Sequence, residues 1–177
     1  MLCRLLLLGA ALLTPARTST AGVRHYPSPD RRYTASVTAV SAGTSDAGEG
    51  FVEVRRRAGL LCIRRSFVSD DGEHGQIVEK AAWTPDARFF VFTTASSGGH
   101  SAWHHWTFVW SRRDDRIHSL DDAYSSPTVA GTTRASFRLT KPDRISTYLL
   151  GGMDASEMPS TVSLSRVHWK YGIGAER

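Results

Sequence analysis

The sequence predicts an all-β fold of about two and a half four-stranded antiparallel units, each of about 56 residues, in an open propeller-like arc or a β-sandwich. Three observations predict it. β-branched and aromatic runs bounded by Gly, Pro, Asp or Ser recur at Tyr33 to Val37, Phe51 to Val54, Phe89 to Thr93 and Thr107 to Trp110. Beyond the N-terminal segment no stretch of ten residues keeps a 3.6-residue apolar period. Pro29-Asp30, Pro85-Asp86 and Pro142-Asp143 follow one another at spacings of 56 and 57 residues, each just ahead of a strand signal.

The chain starts with a segment of another kind. Arg4, the apolar block Leu5 to Leu13 and the small residues Ser19-Thr20-Ala21 read as a cleavable export signal over residues 1–21. The block is too short to span a bilayer, which needs about 20 apolar residues. Cys3 precedes it and is not placed like a lipid-bearing cysteine. The expected product is one all-β domain over residues 22–177, exported to a periplasm or the exterior without a transmembrane anchor. Without Arg4 and Arg17 the chain carries 20 basic against 17 acidic residues, a net charge of +3. That bias is too small to imply nucleic acid. The runs Arg55-Arg56-Arg57 and Arg64-Arg65 read as the exposed row of a hairpin. Cys62, the single cysteine left, reads as an inert, buried thiol.

The repeat units are expected at about 29–84, 85–141 and 142–177. Their first strands begin at Tyr33, Phe89 and Ile145, and their second strands are Phe51 to Arg57, Thr107 to Arg113 and Thr161 to Val167. Third strands are Leu60 to Phe67 and Arg116 to Leu120; fourth strands are Gln76 to Trp83 and Thr132 to Leu139. Val54 and Trp110 lie 56 residues apart, as do Arg56-Arg57 and Arg112-Arg113. Val23 to Tyr26 reads as a leading strand. In each turn Pro presets φ at the first corner and Asp bonds forward to the backbone. Trp83 and the aromatics after the turn are placed to stack between neighbouring sheets.

Ala82-Trp83-Thr84-Pro85-Asp86-Ala87-Arg88-Phe89 resembles the Trp-Ser-Pro-Asp-Gly-Arg signature of TolB-type and related WD40-like β-propeller repeats. Ser28-Pro29-Asp30-Arg31-Arg32-Tyr33 is a partial second copy, and the third keeps only Pro142-Asp143. Arg31 and Ala87 stand where the signature has glycine. The resemblance implies blades that serve as a binding or gating scaffold and implies no catalytic residues. Closed propellers need about four to eight blades, so the chain forms an open arrangement or closes with a second chain, and its open sheet edges offer a route to self-association.

In such a repeat the loops after the first strands share a rim: Ser41 to Gly50, Ala95 to His105 and Gly151 to Ser160. The middle loop is the richest: the stretch Ser96 to Trp106 holds three of the seven histidines and two of the five tryptophans. His100, Trp103, His104 and His105 form the expected recognition surface for a protein or carbohydrate partner, with no cofactor. The alternative is a zinc-assisted hydrolase with His100, His104, Glu49 and Asp154 as ligands, and with His105, Asp46 and Glu157 as further candidate ligands. Asp70-Asp71 and Asp121-Asp122 recur between the third and fourth strands; Asp70-Asp71-Gly72 lacks the alternation of a calcium loop and reads as a turn. No Gly-x-Ser-x-Gly elbow is present.

Overall fold

The computed structural model describes residues 22–40, 48–72, 74–98, 105–124, 137–149 and 158–170, with 172 and 174. Strands β1 (Val23–Pro27), β2 (Tyr33–Ala39), β3 (Gly50–Arg56) and β4 (Leu61–Ser66) form the first sheet in chain order. The second comprises β5 (Gln76–Trp83), β6 (Phe89–Ser96), β7 (His105–Ser111) and β8 (Arg116–Ser119). The third comprises β9 (Arg138–Thr140), β10 (Arg144–Leu149) and β11 (Met158–Ser163), with β10 central. All pairings are antiparallel. Among the described residues the architecture is all-β and open, with three sheets and no closed barrel. Helical content among the described residues is one short helix, α1 (Leu120–Tyr124), and a 3₁₀ turn at Leu164–Arg166. No helix there is long and apolar enough to cross a membrane.

The second sheet lies between the other two, and strand composition explains why. A strand in a sheet covered on both faces is apolar at every position rather than at alternate ones. In β6 every residue from Phe89 to Ala95 is buried. Phe90 and Phe92 point to the first sheet, where they meet Tyr33, Ala35, Val37, Val52, Val54 and Ile63. Phe89 and Val91 point to the third, where they meet Phe137, Ile145 and Leu164. The outward faces of the outer sheets are polar: Thr34, Ser36 and Thr38 on β2, Arg144 and Ser146 on β10. A polar outer face ends a stack as a capping repeat ends a solenoid.

Aromatic rings fill the first interlayer. Trp83 lies 5.2 Å from Phe90, 5.6 Å from Trp110 and 6.3 Å from Tyr33 between ring centroids. It is 9% exposed, and its indole N–H donates to the Tyr26 carbonyl at 2.7 Å. The sequence places Trp83 between neighbouring sheets, and it is there.

The first two Pro-Asp turns match bond for bond. In the first, the Ser28 hydroxyl donates to Asp30 at 2.7 Å and accepts from the Tyr33 amide at 3.0 Å, while the Arg32 amide donates to Asp30 at 3.1 Å. In the second, Thr84, Asp86, Phe89 and Arg88 repeat these bonds at 2.7, 3.1 and 3.1 Å. Arg31 (φ 57°) and Ala87 (φ 59°) are both left-handed. The conformation that glycine serves in the signature is therefore kept with a Cβ in place, which costs about 1–2 kcal/mol. Glycine's own backbone entropy offsets about 0.5–1 kcal/mol of any gain. Arg31→Gly, at an exposed site, is expected to stabilise the fold by roughly 0.5–1 kcal/mol in urea unfolding.

Three details depart from the expected repeat. The sheets are out of phase with the sequence units: β5, read as the last strand of the first unit, pairs with β6 instead. The physical reason is the turn itself, which joins β5 to β6 as a tight hairpin, whereas residues 67–75 carry the chain from one sheet to the next. Second, Val54 faces Ala35 across the ladder while Val91, 56 residues after Ala35, faces Val109. The counterpart of Val54 is thus Val109 rather than Trp110, and the counterpart of Arg57 is Arg112: their amides donate to Arg32 and Arg88 carbonyls respectively. Third, the Pro142 turn is one residue shorter. Six residues separate the paired Trp83 and Phe90, but five separate Leu139 and Ile145. Asp143 runs directly into β10, so the left-handed position of the other two turns is missing.

Smaller expectations fare unevenly. The third strand of the second unit ends at Ser119 because Leu120 opens α1, with the Ser119 hydroxyl accepting from the Asp122 amide at 3.1 Å. The strand expected over Thr161 to Val167 ends at Ser163, where the 3₁₀ turn begins. Of Thr132 to Leu139, residues 132–136 lie outside the described residues, as do 1–21. Arg55 and Arg64 flank Glu53 at 3.3 and 3.5 Å along the β3–β4 hairpin, the row the sequence suggests.

Candidate functional site

The three turns lie on one rim of the stack, and the far ends of the strands that follow them lie on the other. Arg112 of the second sheet bonds Asp30 of the first turn at 2.8 Å, and the Asp86 amide bonds the Pro142 carbonyl at 3.3 Å. These contacts set the turns side by side. Strand direction then puts the described ends of the β2–β3, β6–β7 and β10–β11 connections at the opposite rim. The cores of these loops, residues 41–47, 99–104 and 150–157, lie outside the described residues. Of the expected surface, His100, Trp103 and His104 fall there, as do Asp46, Asp154 and Glu157; His105 and Glu49 are described.

Glu49 is the organising residue of this rim. Its side chain is buried, at 2% exposure. Its carboxylate accepts from the Ser69 amide at 2.5 Å, the Ser69 hydroxyl at 2.8 Å, the Gly75 amide at 2.5 Å and the Ser97 hydroxyl at 2.6 Å. Burial pushes this carboxyl up, but the bonds from Ser97, Ser69 and Gly75 outweigh it and hold it below the ordinary range. Three segments meet on one carboxylate: the entry to β3, the β4–β5 link and the start of the 97–104 loop. Gly75 has no room for a side chain, because a Cβ there would overlap the Glu49 carboxylate and the Phe67 carbonyl. Glu49, which the zinc alternative assigns as an oxygen ligand, has both oxygens engaged in this clamp.

The described ends of the 97–104 loop are anchored. Ser97 bonds Glu49, and the Ser96 hydroxyl donates to the Gly98 carbonyl at 3.1 Å. On the return strand His105 Nδ1 lies 3.0 Å from Glu79. Trp106, half-buried, joins Arg65, Gln76, Phe108, Ile117, Ser119 and Asp122 around a cleft of about 330 Å³. Arg65 lies over Phe67 and Phe108, 5.2 and 5.6 Å from their ring centroids. Asp70 and Asp71 lie in a turn, as the sequence suggests, while Asp121 and Asp122 lie in α1. Asp71 accepts from the His74 amide at 3.1 Å, and buried Asp121 accepts from the Thr107 amide at 2.7 Å. Among the described residues no three His, Cys, Asp or Glu side chains come together as metal ligands.

The motif aspartates hold the opposite rim. Asp143, 1% exposed, accepts from the Ser165 amide at 2.9 Å, the Ser163 hydroxyl at 3.0 Å and Arg88 at 3.3 Å. Burial raises its pKa, and Ser165, Ser163 and Arg88 more than reverse that. Asp30 is also held low, with burial opposed by Ser28, the Arg32 amide and Arg112. Cys62 is half-buried, and its thiol is pushed up by burial and Asp115 against the opposing effect of Arg56, so it is a poor nucleophile.

Sequence reasoning missed two features. The Glu49 clamp joins residues 20, 26 and 48 positions downstream, with only serines and a glycine to mark its donors. A second cleft, of about 590 Å³, opens on the turn rim between the second and third sheets, lined by Arg88, Arg112, Arg113 and Trp169 among others. Its one sequence trace is the Arg112-Arg113 pair. Comparisons of the chain with family models, with curated proteins and with solved structures found no match.

Proposed function

We propose that the protein is an exported, non-catalytic binding or scaffold protein of the cell envelope or exterior, and that it recognises a protein or carbohydrate partner with the loop rim. One observation carries the reading: the Glu49 clamp ties Ser97, just ahead of the segment that carries His100, Trp103 and His104, to two other segments of the chain. Recognition loops work in this way, with variable residues on a scaffold that limits the ordering cost of binding. The Trp106 cleft adds an apolar wall with Arg65 and Asp122 at its polar edge, suited to a ring or sugar face. The buried carboxylates Glu49, Asp121 and Asp143 are each occupied by backbone or hydroxyl donors. Glu49 and Asp143 have lowered pKa values, the wrong direction for a general acid. The TolB-type resemblance of the turns supports the same class.

Cross-linking capture by the wild type and by a Trp103→Ala plus His104→Ala variant tests the surface. A partner retained by the first and lost by the second is expected; equal capture by both means the surface is misassigned. Melting with a chelator and then with zinc tests the class. A ligand at 100 times its Kd stabilises the native form by about 2.7 kcal/mol. A stoichiometric zinc shift abolished by His100→Ala would replace this reading with the zinc alternative.

A further inference from the structure

We infer that the Trp106 cleft is a carbohydrate subsite that takes one neutral pyranose ring, which names the chemical class of the partner. The inference rests on the reading of this rim as the recognition face and deepens it. One ring is the starting point. Phe108, on β7, is closed in by Phe67 and Phe92 at 5.4 and 5.5 Å between ring centroids. Trp106, two residues earlier on the same strand, is half-buried and pairs with no ring among the described residues. Side chains two apart on a strand share a face, so the indole extends the apolar floor of Phe108 and Ile117 toward the rim. The face of an aromatic ring carries the negative part of its quadrupole. The C–H bonds on one face of a pyranose turn their positive ends to such a surface, and an open indole beside polar groups offers it.

The polar groups around this floor suit hydroxyls rather than a charged ligand. Arg65 and Asp122 supply one cation and one anion, so the lining carries no net charge. Asp122 is exposed in α1 and has no ion-pair partner among the described residues, which leaves its carboxylate open to accept from neighbouring hydroxyls. Gln76 accepts from the Thr94 hydroxyl at 2.7 Å through its side-chain oxygen, which leaves its NH2 group to donate. The Ser119 hydroxyl accepts from the Asp122 amide at 3.1 Å and keeps its own proton to give. Donors and acceptors thus stand together, as sugar hydroxyls, which do both, require. Gln76 opens β5, Trp106 lies in β7, Ser119 ends β8 and Asp122 lies in α1, so regular elements and not loops hold the groups in place. The volume of about 330 Å³ lies at the lower end of the small-molecule range, room for one ring.

Saturation-transfer NMR tests the inference with the methyl glycosides of glucose, mannose and galactose, against cyclohexanol, a ring with a single hydroxyl. At least one glycoside is expected to bind saturably and more tightly than cyclohexanol, with the strongest transfer to the protons of one ring face. Trp106→Leu keeps the apolar bulk without the aromatic face and should weaken it by about tenfold. Asp122→Asn, at an exposed position that leaves the fold intact, should also weaken it by about tenfold. Asp70→Asn, exposed on the same rim outside the cleft, should leave it unchanged. Three results would overturn the inference: no saturable binding of any glycoside, cyclohexanol binding as tightly as the best of them, or equal binding by wild type and Asp122→Asn. The reading of the loop fails separately. Glycoside binding together with equal cross-linking capture by the Trp103→Ala plus His104→Ala variant removes the loop surface and keeps the subsite. Loss of capture by that variant, with no glycoside bound by the wild type, keeps the surface and removes the sugar.

Discussion

Glu49→Ala is expected to destabilise the protein by about 3–5 kcal/mol, more than any other single polar change. The substitution leaves the amides of Ser69 and Gly75 and the hydroxyls of Ser69 and Ser97 facing a small void. Glu49→Gln keeps the shape but turns an NH2 group toward a donor, so about 2 kcal/mol is expected from one lost and one repulsive contact. Chemical denaturation of both variants, with circular dichroism at the sheet band, measures the difference. The carboxyl also predicts a pH dependence. Its folded-state pKa is lowered, so its contribution is complete above the ordinary glutamate value of 4.5 and is lost as pH falls through the folded value. Asp143 and Asp30 act in the same direction. Glu49→Gln should therefore lose less stability than the wild type on acidification below that point. Equal stability of wild type and Glu49→Ala at neutral pH would mean that the clamp does not exist.

Trp83→Ala should cost about 3–5 kcal/mol, the usual range for deleting a buried aromatic. The ring touches both sheets through Tyr33, Phe90 and Trp110, and its loss also strands the Tyr26 carbonyl. Trp83→Phe keeps most of the packing and removes the hydrogen bond, so about 1–2 kcal/mol of that loss should remain. Urea titration separates the two. A negligible effect of Trp83→Ala would show that the first interlayer does not hold the sheets together.

The fold was legible where local chemistry and long-range packing agree. Pro-Asp presets a reversal whatever surrounds it, so Pro29 and Pro85 mark their turns from sequence alone, and Trp83 beside one of them marks the interlayer. The third turn was harder to read because Pro142-Asp143 keeps the marker residues but lacks the position after Asp that adopts φ > 0 in the others. Sheet phase was not legible: a strand followed by a turn pairs forward or backward with equal local propensity, and only tertiary contact decides that β5 joins β6. The one-residue offset between Val54 and Val109 was hidden for a similar reason, since ladder register is set by pairing and not by spacing along the chain. At the candidate site the two histidines and the tryptophan of residues 99–104 stood out by composition. Glu49 did not, because its partners are small polar residues scattered over the chain, and the arginine cleft depends on a neighbouring sheet that no local pattern specifies.

The central claim is that the repeat places the turns on one rim and the far ends of their strands on the other. Spin-label distances test it most directly, in a Cys3→Ser, Cys62→Ala background with labels at exposed positions. Sheets pack about 10 Å apart and strands rise about 3.3 Å per residue. Labels at Arg32 and Arg113, both on the turn rim, are expected roughly 10–15 Å apart, whereas labels at Arg32 and Asp70, on opposite rims, are expected at roughly 25 Å. An Arg32–Arg113 separation as long as that of Arg32–Asp70 would contradict the account, because the turns would then not share a rim.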